Sequence, residues 1–189
     1  MNTQIILSGI GGQGILFASK IFSELGRMSG IDVIGAETHG MSQRGGSVIA
    51  HLKLGNFMSP MVKSGSADIL YSFDKNEAYR TLGYVKSGGL CFVNLRGSER
   101  LDPAVLDGLE KKKIRLFAFD AGSLAVEIGA KRSANIILIG CSAGTGLVPF
   151  GEMDLERVVQ SVSPDRVRGK NLEAFRRGVE AGKSQTQTS

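Results

Sequence analysis

Gln4-Ile-Ile-Leu-Ser8 runs directly into Gly9-Ile10-Gly11-Gly12-Gln13-Gly14, and apolar residues then recur at Ile15, Ala18, Ile21, Phe22, Leu25 and Met28. The short apolar run predicts a buried strand. The spacing of three and four that follows predicts an amphipathic helix, closed at Gly30. Between them the glycines fit G-x-G-x-x-G, placed after a strand and before a helix, where the pattern has a physical meaning. Gly9 permits a tight turn, Gly11 lets a ligand approach the backbone, and Gly14 allows close packing of helix on strand. The unpaired N–H groups of the helix N-terminus favour a phosphate in front of them. Glu37 follows Gly14 by 23 residues, where an acid that binds a ribose would sit.

Working outward, Asp32–Ala36 reads as a second strand. Ser47–Leu54 and Phe57–Lys63 flank Gly55-Asn56, the signal of a β-hairpin. Asp68–Phe73, Leu90–Leu95 (introduced by Gly88-Gly89) and Ile114–Phe119 read as further strands. Helices are expected over Lys75–Val85, Pro103–Lys112, Gly122–Gly129, Leu155–Val162 and Pro164–Val179, with a polar tail from Ser184. By propensity Ile136–Ile139 is strand-like. Strands alternating with helices predict an α/β protein: a Rossmann-like, doubly wound, mostly parallel sheet with a β-hairpin and a helical C-terminal third. A single domain over residues 1–183 is expected, since 189 residues suit one such unit and not two.

Composition narrows the function. The chain is 42% hydrophobic and 22% charged, too apolar for disorder. Its two cysteines, Cys91 and Cys141, cannot build an iron–sulfur cluster, a four-cysteine zinc site or a disulfide scaffold. Each lies in an apolar run and reads as a small buried hydrophobe, which points to a reduced, cytoplasmic setting. Neither Met1–Ser19 nor Ser133–Gly151 reads as a signal or membrane span, so no membrane partner is expected. The net charge is +5, and residues 157–183 hold seven basic side chains against three acidic ones. Aromatic residues are not interleaved with the basic ones and no nucleic-acid motif occurs, so an anionic small molecule or an acidic partner fits better than nucleic acid.

The densest polar constellation is Glu37-Thr38-His39-Gly40-Met41-Ser42-Gln43-Arg44-Gly45-Gly46, expected as an exposed loop at the carboxyl end of the second strand. Open α/β sheets bind ligands at that end. Arg44 beside two glycines offers a guanidinium fork to phosphate or carboxylate, and His39 titrates near neutrality. No nucleophile–base set and no metal-ligand spacing accompanies them. Asp68, Asp74 and Glu77 near another strand end read as helix caps.

These residues resemble the gamma subunit of 2-oxoacid:ferredoxin oxidoreductases. The resemblance is carried by Gly9–Gly14, Glu37–Ser47, His51–Gly55 with Ser59-Pro60, Ala67-Asp68, Glu77-Ala78, Gly88-Gly89, Val93-Asn94, Asn135 and Asn171–Phe175. It runs from about residue 3 to about residue 182, with the wording of the His39–Gly46 loop closest to the indolepyruvate type. It implies a helix around Asn135–Gly146 in place of a strand. It further implies CoA-dependent oxidative decarboxylation of a 2-oxoacid to an acyl-CoA, CO2 and reduced ferredoxin. Thiamine diphosphate, Mg and iron–sulfur clusters would be carried by alpha, beta and ferredoxin-like partner subunits. This chain would bind none of them and would be inactive alone, with self-association into a homodimer as a further expectation. The positions expected to meet coenzyme A are Gly9, Gly11, Gly12, Gln13, Gly14, His39, Gln43, Arg44 and Gly45, with no catalytic residue. Two other readings stand beside this one: a free-standing Rossmann-like nucleotide-binding enzyme, and a scaffold using the same loops for protein contacts.

Overall fold

The computed structural model describes residues 2–39 and 45–187. The strands are β1 (Thr3–Ile10), β2 (Val33–His39), β3 (Ser47–Leu54), β4 (Ala67–Ser72), β5 (Val85–Asn94) and β6 (Arg115–Phe119). The helices are α1 (Ile15–Met28), α2 (Lys75–Thr81), α3 (Pro103–Lys111), α4 (Ala121–Glu127), α5 (Ala134–Gly144), α6 (Glu152–Val162) and α7 (Asp165–Gln187). The strands form one sheet in the order β2-β3-β1-β4-β5-β6. β1, β4, β5 and β6 are parallel neighbours, while β3 runs antiparallel to both β1 and β2. The mostly parallel α/β sheet expected from the sequence is therefore present.

Four local expectations need correction. The hairpin partner of Ser47–Leu54 is not Phe57–Lys63, which forms no strand, but β2. Residues 57–63 instead lie over the sheet, where Val62 is buried and its N–H donates to His51 Nδ1 at 3.2 Å. The exposed loop expected from Glu37 begins later, because Glu37, Thr38 and His39 are the last residues of β2. Gly88-Gly89 does not precede β5 but lies within it, at a register irregularity against β4 where Gly88 has φ +76°. At the C-terminus α7 continues through Gln187, past the start of the expected polar tail.

α5 decides between the two readings of Ile136–Ile139 in favour of the helix. Nine of its eleven residues are buried, so it is apolar on nearly every side, and a local pattern of that kind cannot separate strand from helix. One side faces an aromatic ladder across three neighbouring strands. Tyr71 of β4 stacks on Phe92 of β5 at 5.2 Å, and Phe92 on Phe117 of β6 at 5.1 Å. The Tyr71 hydroxyl donates to Ser142 Oγ of α5 at 2.7 Å, which satisfies a polar group inside the core. The other side meets α7 through glycines. A Cβ on Gly140 or Gly144 would collide with the carbonyl oxygens of Phe175 and Val179, and one on Gly178 or Gly182 with those of Ile137 and Cys141. Two G-x-x-x-G pairs thus bring the two helix backbones into direct contact.

The principal core lies between the sheet and α1, α5, α6 and α7; smaller clusters sit beneath α2 and α3 on the other face. Cys91 belongs to a core on one face and Cys141 to that on the other, and burial pushes both thiols up to about 12. Both are the buried free cysteines expected.

Candidate functional site

The glycine loop joins β1 to α1 and is held in shape by its own residues. The Gln13 N–H donates to the Ile10 carbonyl at 3.0 Å, and Gln13 Oε1 accepts from the Ile10 N–H at 2.7 Å. The glutamine therefore folds back over the turn, and a Cβ on Gly9 would lie 2.6 Å from its oxygen. Gly9 is needed to leave room for Gln13. Gly11 donates its N–H to the Gly46 carbonyl at 2.9 Å. A Cβ there would stand 3.5 Å from the Gly45 nitrogen, so the close approach at Gly11 is made by the second glycine segment of the same chain.

Gly12 and Gly14 are different. Both have positive φ (+101° and +81°), and a Cβ on Gly12 would meet nothing within 4 Å. Gly14 caps the N-terminus of α1 and abuts Asn135 of α5, not a strand as the motif suggested. Asn135 Nδ2 donates to the Gly14 carbonyl at 3.0 Å, and its Oδ1 accepts from the Ile136 N–H at 2.9 Å. Ser133, which precedes α5, donates from Oγ to Asn171 Oδ1 at 3.0 Å, and Asn171 Nδ2 donates to Ser163 Oγ at 2.9 Å. This buried chain of side chains ties the start of α5 to the first turns of α7.

The N-terminal ends of α1, α5 and α7 consequently meet around one cavity of about 560 Å³. Gly12, Gly14 and Phe17 form one wall, residues 129–136 a second, and Pro164, Arg166, Val167, Lys170 and Asn171 the third. Lys131, Arg132, Arg166 and Lys170 all line it, and no Asp or Glu does. Lys170 Nζ also donates to the Gly129 carbonyl at 2.9 Å, fixing one of the four cations at the mouth. Three helix N-termini and four cations facing one volume make a strongly electropositive cavity.

Of the residues singled out in the sequence, Gly12 and Gly14 line this cavity, and Gly9, Gly11 and Gln13 shape the loop that carries them. Gly45 packs against Gly11, so the two glycine-rich segments do come together. The backbone of His39 ends β2 opposite Val48. Gln43 and Arg44 lie outside the described residues. Glu37 lines a separate groove beside α1, not the glycine-loop cavity, and so does not serve there as a ribose acid. Asp74 caps α2 as expected, accepting from the Asn76 N–H at 2.9 Å.

Lys131, Arg132, Arg166 and Lys170 were not singled out one by one. Their signal was the basic excess over residues 157–183, together with a Lys-Arg pair just before an apolar segment. Only folding brings these two stretches to the glycine loop.

The sequence profile described as Pyruvate ferredoxin/flavodoxin oxidoreductase matches residues 4–181, nearly the whole length. The chain belongs to this family. It is 37% identical over 194 residues to Indolepyruvate oxidoreductase subunit IorB of Thermococcus kodakarensis, covering 95% of each. Among solved structures it superposes on the gamma subunit of keto/oxoacid ferredoxin oxidoreductase from Geobacter sulfurreducens with a TM-score of 0.76. That match has 23% identity and covers 96% of this chain and 99% of the other, so it shows the shared fold. A further match is the 2-oxoglutarate:ferredoxin oxidoreductase of Magnetococcus marinus, solved with 2-oxoglutarate, coenzyme A and succinyl-CoA bound. There the TM-score is 0.78 at 18% identity over 97% of this chain, which corresponds to 31% of the larger one. The family member described here is the small, gamma-type subunit of a 2-oxoacid:ferredoxin oxidoreductase. Among its described residues no group of three or more His, Cys, Asp or Glu is placed to hold a metal ion, and no helix is long and apolar enough to cross a membrane.

Proposed function

We propose that this subunit contributes the coenzyme A site of its complex, which oxidatively decarboxylates a 2-oxoacid to an acyl-CoA, CO2 and reduced ferredoxin. The observation that carries the reading is the acid-free cavity bearing Lys131, Arg132, Arg166 and Lys170 at the converging N-termini of α1, α5 and α7. Coenzyme A is a polyanion, and fixed cations with helix-terminal N–H groups suit its phosphates. Gly11 has given its N–H to Gly46, so the phosphate contacts fall to Gly12, Gly14 and the basic side chains. Arg44 lies one residue before the Gly45 that packs on Gly11, and it is assigned to the same ligand from its place in the sequence.

The residues present do not fit the redox cofactors. The two cysteines sit in cores on opposite faces of the sheet as high-pKa thiols, unsuited to ligate iron. We assign the clusters to partner subunits on this ground, and thiamine diphosphate and Mg to them from the family resemblance; the chain acts on the acyl-transfer half of the reaction by binding and orienting coenzyme A. The 2-oxoacid is assigned to the arylpyruvate class, supported by the name of the 37% relative.

The test uses the assembled complex with Arg166→Ala and Lys170→Ala introduced together. A hydrogen bond to a charged group contributes about 1.5–3 kcal/mol, so the KM for coenzyme A should rise at least about tenfold. Single-turnover reduction by the 2-oxoacid without coenzyme A should stay within a few-fold of wild type. An unchanged KM, or equal losses in both steps, would overturn the assignment. A panel of 2-oxoacids assayed on the same complex tests the substrate class.

A further inference from the structure

The ladder between β1 and β3 ends at the pair Ile10 and Ser47, where Gly11–Gly14 leaves β1 and Gly45-Gly46 enters β3. Beyond that pair the Gly11 N–H still reaches the Gly46 carbonyl, at 2.9 Å. The next residue is gripped from a different element. Ser47 Oγ donates to Glu77 Oε2 of α2 at 2.5 Å. The sequence reads Glu77 as a helix cap, but Asp74 fills that role, accepting from the Asn76 and Glu77 N–H groups. The Glu77 carboxylate is left to Ser47.

The Glu77 side chain is only 8% exposed. Burying a carboxylate is unfavourable unless its charge is met. Here the Ser47 hydroxyl meets one oxygen at the short distance of a charge-assisted bond, and the exposed Arg80 guanidinium lies 3.6 Å from the other. The helix itself has other anchors. Ala78 and Thr81 are fully buried, and Thr81 Oγ1 lies 3.0 Å from Ser8 Oγ of β1. The carboxylate therefore serves to fix Ser47 more than to fix α2.

We propose that Glu77 is a positioning residue for coenzyme A, acting through Ser47 and Gly46 on the glycine loop. The proposal rests on the coenzyme A reading. Glu77 does not line the cationic cavity, and α2 packs on the face of the sheet opposite α1 and α5. What it controls is the Gly46 carbonyl, which takes the Gly11 N–H and so holds the start of the loop whose Gly12 and Gly14 line the cavity. Gln13 braces that loop from within, through Ile10. Glu77 braces it from outside. Without the carboxylate, Ser47 loses its anchor, the Gly11–Gly46 bond frays, and the head of α1 is no longer held in place before the ligand is bound.

The test uses the assembled complex carrying Glu77→Ala, Glu77→Gln, Ser47→Ala, or both alanines together. Glu77→Ala should raise the KM for coenzyme A about tenfold and leave reduction by the 2-oxoacid without coenzyme A within a few-fold of wild type. Glu77→Gln keeps an acceptor for the Ser47 hydroxyl and should recover most of the loss. The double variant should be no worse than the poorer single one, since both remove the same contact. Hydrogen-exchange mass spectrometry gives a readout that needs no ligand: a peptide covering residues 9–15 should exchange faster in Glu77→Ala, and one covering residues 75–81 should not. Arg166→Ala with Lys170→Ala, assayed alongside, separates the two claims. A KM raised by that pair but not by Glu77→Ala overturns the positioning role alone, and a KM raised by neither overturns both. Equal losses in the two half-reactions, or unchanged exchange over residues 9–15, would also overturn the positioning role.

Discussion

Asn135 Nδ2 donates to the Gly14 carbonyl at 3.0 Å across 121 residues of sequence, joining the first turn of α5 to the cap of α1. The contact is possible because Gly14 has no Cβ; one would collide with the Asn135 amide. It holds two helix N-termini at a fixed distance from each other beside the same cavity. The residue that completes the glycine motif is therefore used to position a second helix, and the cavity exists only once both are in place.

Asn135→Ala removes a buried donor and the acceptor for the Ile136 N–H. A loss of about 1–3 kcal/mol is expected, which for a chain of this size lowers Tm by roughly 3–10 °C. In the assembled complex the KM for coenzyme A should rise more than kcat falls, because the cavity loosens while the redox chemistry does not change. Differential scanning calorimetry and steady-state kinetics check the two parts.

The α5–α7 contact predicts opposite signs for two identical substitutions in one helix. At Gly169 an added methyl meets nothing within 4 Å, so Gly169→Ala should stabilise by about 0.5–1 kcal/mol through helix propensity. At Gly178 the same methyl strikes the Ile137 carbonyl, and the helices must separate to admit it. Gly178→Ala should destabilise by about 3 kcal/mol or more, as overpacking against backbone leaves no side chain to yield. Urea denaturation of both variants compares them directly.

If charge rather than shape dominates at the cavity, binding must respond to salt. The KM for coenzyme A should increase with ionic strength in wild type, since Lys131 and Arg132 are exposed and screened within about 10 Å at 0.1 M salt. Lys131→Ala together with Arg132→Ala should raise the KM at low salt and flatten the salt dependence. Kinetics at a series of potassium chloride concentrations measure the slope.

His51 makes stability depend on pH. Burial, and then the charge of Lys53, hold its imidazole below the ordinary value of 6.5. The ring accepts a hydrogen bond from the Val62 N–H and meets Tyr84 edge-on at 5.4 Å, both of which suit the neutral form. The unfolded chain therefore binds the proton more readily than the folded one. This contribution to stability is fully present above about pH 6.5 and is lost as pH falls from there toward the lower folded value. Thermal melts should show Tm dropping between pH 7 and pH 5, by less in His51→Gln, with Tm at pH 8 moved mainly by the packing change.

The α/β class, all six strands within about five residues at each end, and the first helix followed from local pattern, because burial on a sheet face or one helix face leaves a period in the sequence. The glycine loop was equally legible, since a turn between strand and helix with positive φ at Gly12 and Gly14 needs glycine there. Three things were not. α5 is apolar on nearly every side and carries no period, so local pattern left Ile136–Ile139 strand-like and only the family resemblance implied the helix; the Tyr71 hydroxyl on one side and the Gly178 backbone on the other are what pack it. The pairing of β3 with β2 depends on which strand lies next to it in space, which a turn signal at Gly55-Asn56 could not report. The cationic cavity is assembled from residues 12–17, 129–136 and 164–171, segments that share nothing in sequence. Local chemistry determined which residues turn, pair or pack, while the tertiary fold alone decided which charges share a cavity, because electrostatic potential depends on distance in space and not along the chain.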